Sequence, residues 1–182
     1  MENLYLNKIN KPTVLSIVTR KSGTGKTTLI EALIKILKYR GYRVGVLKYD
    51  THKFEIDKEG KDSYRFTKAG ADNVILSSAE KLAMIQLVQK QKNLEETIGM
   101  FTDIDVIFIE GFRNNNYPKI EVYRKTVSER LLCKDSNFNI DSFVAVACDE
   151  ALSVDLPVLD LNNPLIVAEF IENNLIQKVK SD

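Results

Sequence analysis

The stretch Thr13 to Leu37, TVLSIVTRKSGTGKTTLIEALIKIL, sets three things end to end: an apolar β-branched run, a glycine-containing turn and an amphipathic helix. The run Thr13 to Val18 predicts a short buried strand. Ile30, Leu33, Ile34 and Leu37 recur at the spacing of one helical face, and Gly41 predicts the stop. A strand that hands over to a helix through such a turn belongs to layered α/β architectures.

The turn itself has chemistry. A phosphate-binding loop aims several backbone N–H groups and a helix N-terminus at one anion. Glycine is required where φ is positive or where a side chain would fill the anion's space, and Gly23 and Gly25 supply that. Lys26 would reach the β- and γ-phosphates, and the Thr27 hydroxyl would bind Mg²⁺. Lys21, Ser22, Thr24 and Thr28 complete the candidate nucleotide-binding set. The general pattern G-x-x-x-x-G-K-[ST] puts its first glycine at position 20, where this chain has Arg20. A strand entering the loop by a tighter path can dispense with that glycine.

Further along, apolar runs alternate with helical periodicity. Residues 42–49 predict a second buried strand. The stretch 62–70 predicts a short helix capped by Asp62 or Ser63 and ended by Gly70. DNVILSS and KLAMIQL predict a hairpin around Ala79-Glu80, and NLEETIGMF a helix. Residues 105–111 and 142–149 predict two more buried strands, PVLDL a short one and PLIVAEFIENNLIQ a closing helix. PKIEVYR alternates polar and apolar residues, which predicts a strand near an edge, and Asn114 to Ile140 fits the plan as an excursion from the sheet. The expected fold is α/β and P-loop NTPase-like. Its mostly parallel sheet carries helices on both faces and a β excursion, in a single nucleotide-binding domain spanning 1–182.

Composition narrows the function classes. Lys plus Arg is 26 and Asp plus Glu is 25, a balance that argues against dedicated nucleic-acid or membrane binding. No apolar run approaches the roughly 20 residues of a membrane span, and MENLYLNKINKP lacks the apolar core of a signal peptide. Cys133 and Cys148 have no metal-like spacing, and Cys148 reads as a buried thiol. The chain is expected to be cytoplasmic with reduced thiols.

Acids at strand ends are the remaining candidates, because ligands in such sheets sit beyond the carboxyl ends of the strands. Glu110 would hold Mg²⁺ through water or orient an attacking water. Asp50 ends the second strand and is the other catalytic candidate. Asp149 has two open readings. It would accept from N1–H and N2–H of guanine, or it caps a strand end. His52 reads as a surface residue.

Several stretches together resemble molybdopterin-guanine dinucleotide biosynthesis protein B, a GTP-binding accessory protein family of molybdenum cofactor maturation. They are SGTGKTTL, VGVLKYDTHKFEIDKEGKDSYRFTKAGA, VIFIEGFR, VAVACD and LPVLDLNN, in that order. The resemblance implies GTP with Mg²⁺, a homodimer, slow hydrolysis at most, and service to the guanylyltransferase that joins GMP to molybdopterin. It carries over Gly23 to Thr28, Glu110-Gly111, and the segment of Lys61, Asp62 and Ser63. The family's His-rich run after the second strand is reduced here to His52. The loop is also similar to the K-G-G-x-G-K-T variant of dimeric ATPases and GTPases, whose extra lysine crosses to a partner's nucleotide. Lys21 occupies that position, and a solvated surface lysine is the other reading. Two further classes stay open: an ATP-dependent P-loop kinase or ligase acting on a small molecule, with Asp50 or Glu110 as base, and a partition-type ATPase.

Overall fold

The computed structural model describes residues 11–49 and 54–176. Asp50 and His52 lie outside them. The chain packs as two compact units, one formed by Met1–Tyr49 with Phe101–Asp182 and the other by Asp50–Met100.

The first unit is built on a six-stranded sheet of β1 (Thr13–Val18), β2 (Val44–Lys48), β5 (Val106–Glu110), β6 (Lys119–Tyr123), β7 (Phe143–Cys148) and β8 (Val158–Asp160). The order is β2-β5-β1-β6-β7-β8, and each pairing is parallel. Helices α1 (Lys26–Tyr39) and α4 (Pro164–Asn174) cover one face. There Leu33, Leu37, Val167 and Ile171 pack with Leu15, Ile17, Phe108, Ile120 and Ala147 in one core, all fully buried. Helices were expected on the opposite face as well. Within this unit that face is covered at β1, β6 and β7 by irregular segments instead, with Leu132 packed on Val18 and Phe143, and Leu152 and Val154 beside Tyr123 and Val146.

Two readings of strand position change. Residues 44–48 form the edge strand β2, and only Gly45 in it is buried. PKIEVYR is not near an edge. It forms β6, hydrogen-bonded to β1 on one side and β7 on the other, with all five residues buried. The segment Asn114 to Ile140 is therefore no excursion from the sheet, since it supplies one of the sheet's central strands. Its alternation misleads because Lys119 and Glu121, the charged members, are buried on the second face. The Lys119 ammonium donates to the carbonyls of Asn115 and Tyr117 and to the Ser142 hydroxyl. Glu121 accepts from the backbone N–H groups of Leu132 (2.7 Å) and Cys133 (3.0 Å).

The second unit holds α2 (Asp62–Lys68), the antiparallel hairpin of β3 (Asn73–Ser77) and β4 (Leu82–Gln86), and α3 (Leu94–Ile98). The hairpin is a separate two-stranded sheet, as expected from the sequence around Ala79-Glu80. The N-cap of α2 is Lys61, with no side-chain cap, so neither Asp62 nor Ser63 caps it. The Ser63 hydroxyl donates to Asp57 at 2.9 Å instead.

Candidate functional site

The sequence between β1 and α1 folds into a loop braced from within. The Thr19 and Thr24 side chains are both buried. The Thr19 hydroxyl donates to the Thr24 oxygen at 2.7 Å, and the Thr24 hydroxyl donates to the Lys21 carbonyl at 2.6 Å. Gly23 and Gly25 take φ of 80° and 96°, a region that costs other residues a steric penalty. Gly25 is the N-cap of α1, whose first turn has no acidic residue and no side-chain cap. Its N–H groups are thus left for an anion.

Arg20, in the place of the missing glycine, does not adopt positive φ. It works as a strut. Its guanidinium donates to the carbonyls of Arg130 (3.2 Å) and Leu131 (3.1 Å) and pairs with Asp135 at 2.7 Å. Arg113 in turn donates to the Arg20 carbonyl at 2.7 Å. Lys21, Ser22, Thr27 and Thr28 are exposed.

Parallel pairing aligns the carboxyl ends of four neighbouring strands, β5, β1, β6 and β7. Glu110 ends β5 opposite Ile17 of β1. Its Oε1 accepts from the Thr27 hydroxyl at 2.7 Å and lies 3.2 Å from the Lys26 ammonium. Partial burial pushes this carboxyl up, but the Thr27 hydrogen bond and the Lys26 and Lys48 charges together outweigh it and hold Glu110 below the usual carboxylate range. Two oxygens, one a carboxylate, meeting beside the loop lysine form a donor set suited to a hard cation.

Asp149 follows β7. It pairs with Arg124, which follows β6 and also donates from Nε to the Thr24 carbonyl at 3.1 Å. Arg124 lies along Gly25, where an added Cβ would sit 3.9 Å from its guanidinium. The structure thus brings Gly23–Thr28, Glu110 and Asp149 to one end of one sheet. Lys61 and Asp62 belong to the second unit, where both are exposed and Asp62 pairs with Arg65 at 3.4 Å. Sequence reasoning missed Arg124. Its only signal is a cation directly after a strand, and the alternation of that strand points to an edge.

Residues 14–149 match the family described as molybdopterin guanine dinucleotide synthesis protein B, from β1 through Asp149. The chain belongs to this family. Among family relatives, the molybdopterin-guanine dinucleotide biosynthesis adapter protein of Haemophilus influenzae is 39% identical over 159 residues, covering 86% of each chain. That of Escherichia coli K12 is 36% identical over 155 residues, 82% of this chain and 86% of its own. A crystal structure of molybdopterin-guanine biosynthesis protein B superposes with a TM-score of 0.69 at 30% identity, across 89% of this chain and 99% of that one. The Bacillus subtilis protein MobB shares the fold with a TM-score of 0.70 at 23% identity, across 91% of this chain and 99% of its own. The fold is the P-loop NTPase-like α/β fold expected from the sequence.

Proposed function

We propose that the chain is a GTP-binding accessory protein of molybdenum cofactor biosynthesis, serving the guanylyltransferase that joins GMP to molybdopterin. The observation that carries this is the alignment of a glycine-rich loop, an uncapped helix N-terminus and Lys26 with Glu110 at one sheet end. The residues fit the ligand. Gly23 and Gly25 have positive φ, and a Cβ at either would meet nothing within 4 Å except the Arg124 guanidinium, which leaves room for phosphate oxygens. Lys26 would hold the phosphates, Thr27 and Glu110 would hold Mg²⁺, and the metal would supply charge neutralisation at the phosphates. Intrinsic hydrolysis is slow at most.

A kinase or ligase using ATP on a small molecule is the second reading. It needs a base near the γ-phosphate. Glu110 already accepts from Thr27 and pairs with Lys26, and its depressed proton affinity suits a metal ligand better than a base. That favours the accessory reading, in a cytoplasmic protein. Among the described residues no helix is long and apolar enough to cross a membrane.

The homodimer is part of the proposal, and β6 is not its surface. β6 has its backbone groups paired on both sides and offers none to a second chain. The hairpin is the better surface. Ile75, Leu82 and Met84 are exposed on one of its faces and Leu76 on the other. A two-stranded hairpin is marginal alone and gains by being covered, here by a second copy.

Calorimetric titration of GTP and ATP, with and without Mg²⁺, tests the nucleotide reading, with Mg²⁺-dependent GTP binding expected. Adding the protein to the guanylyltransferase tests the role, with raised output of the dinucleotide expected. No nucleotide binding, or no effect on output at any GTP level, overturns it.

A further inference from the structure

Arg124 joins two parts of the site that the sequence keeps far apart. It follows β6, between β1, which feeds the phosphate loop, and β7, which Asp149 follows. Tyr123 and Cys148 are register partners, so Arg124 and Asp149 leave the sheet side by side. One guanidinium edge donates from Nε to the Thr24 carbonyl at 3.1 Å, and Nη1 donates to Asp149 Oδ2. Arg124 Nη2 is the nitrogen turned, together with Nε, toward Gly25. The side chain is about two-thirds withdrawn from solvent, at 31% exposure, and Asp149 is at 28%.

A planar guanidinium with a fixed fork sets direction as well as charge, which a lysine ammonium in its place would not. Its contact uses one carboxylate oxygen from one side. An ionised carboxylate has about four lone-pair sites, so acceptor capacity remains on Asp149 after Arg124 has taken its share. A carboxylate with both oxygens held in one plane is the acceptor that the adjacent N1–H and N2–H of guanine require. Adenine, with no donor at N1, meets it with a lone pair instead.

Resting on the nucleotide reading above, we propose that Arg124 is a positioning residue for base selection. It fixes the orientation of the Asp149 carboxylate beside the phosphate loop, so that a guanine base offers it the N1–H and N2–H donors while an adenine base of the same reach offers a lone pair. Specificity then resides in the Arg124–Asp149 pair.

The test is calorimetry with GTP, ATP and xanthosine triphosphate on the full chain, with melting temperatures recorded for each variant. Wild type is expected to prefer GTP over ATP. Asp149→Asn is expected to lose GTP and gain xanthosine triphosphate, because xanthine presents an acceptor where guanine has its N2 amine. Arg124→Ala is expected to weaken GTP about tenfold while leaving ATP within about twofold, since one lost oriented contact is of that size. Arg124→Lys is expected to restore less than half of the loss in logarithmic terms, because it returns the charge without the fork. A merely structural strut on the Thr24 carbonyl would weaken GTP and ATP in parallel, and that result overturns the inference. So does an unchanged GTP-to-ATP ratio in Arg124→Ala. Wild type that binds no nucleotide overturns the nucleotide reading itself, whereas wild type that binds GTP and ATP equally overturns base selection alone.

Discussion

Lys26 already has an anionic partner in Glu110, 3.2 Å away, and a phosphate must compete with that carboxylate for it. Lys26→Ala removes the contact to the phosphates, so GTP affinity should fall by at least about tenfold, the size of a charge-assisted hydrogen bond. The melting temperature should stay close to wild type, because Lys26 is no part of the apolar core. Unchanged affinity in calorimetry would end the phosphate-loop reading. Glu110→Gln keeps the shape but removes the charge facing Thr27 and Lys26. Mg²⁺-dependent hydrolysis should drop about tenfold or more while GTP affinity changes much less, since a metal or water ligand contributes mainly in the transition state. A variant with intact turnover would reduce Glu110 to a strand end. Lys26 was legible from the glycine-lysine-threonine pattern and Glu110 from its place at the end of an apolar run, each without reference to a spatial partner. Arg20 and Arg124 were not, because their partners Asp135 and Asp149 come from distant segments with no local signature.

At the level of elements, β6 carries the largest lesson. Alternation of Lys119, Ile120, Glu121 and Val122 is the pattern of a strand with one wet face, and the inference failed because both charges found buried partners. Glu121 shows how. Burial pushes its carboxyl up, while two backbone N–H bonds, from Leu132 and Cys133, act in the other direction. Glu121→Ala would orphan both donors and should cost about 2–4 kcal/mol in chemical denaturation. Deleting Tyr117 to Lys134 would remove the strand that joins β1 to β7, and should leave no folded protein rather than a monomer. The buried runs β1, β5 and β7 and the hairpin could be read because each is specified by its own residues. The β2–β5 edge offers a pH test. Arg43 donates to both oxygens of Asp105 and, with its backbone N–H, holds that carboxyl below the usual range against the push of burial. A depressed folded pKa means the contribution is full at neutral pH and is lost as pH falls through that value, below about 4. Asp105→Asn should therefore lower the melting temperature by about 1–3 °C at pH 7, a pair this exposed being weak. The difference should close in acid. A gap that persists at pH 3 would assign the effect to the hydrogen bonds alone.

For the whole molecule, the proposed dimer is tested on the hairpin. Ile75 lies opposite Met84 on an exposed face, at 60% and 43% exposure. Ile75→Asp should give a folded monomer that still binds GTP, measured by light scattering. A variant that stays dimeric would place the interface elsewhere. The sheet order also governs how the chain is made. β1 lies between β5 and β6, so Thr13 pairs with Val106 and Ser16 with Lys119, and β1 has no partner closer in sequence than β5. Such closures are entropically slow, and a ribosome releases the early segments first. The first strand, the glycine loop and α1 therefore emerge with an apolar face and no sheet to dock on. The strut of Arg20 and the Arg124 contact to Thr24 wait longer still, for residues 124–135. A nascent chain halted before β6 holds the full glycine-lysine-threonine motif yet should have no measurable affinity for GTP, so that ligand binding follows the synthesis of β6 and cannot guide the folding of what precedes it.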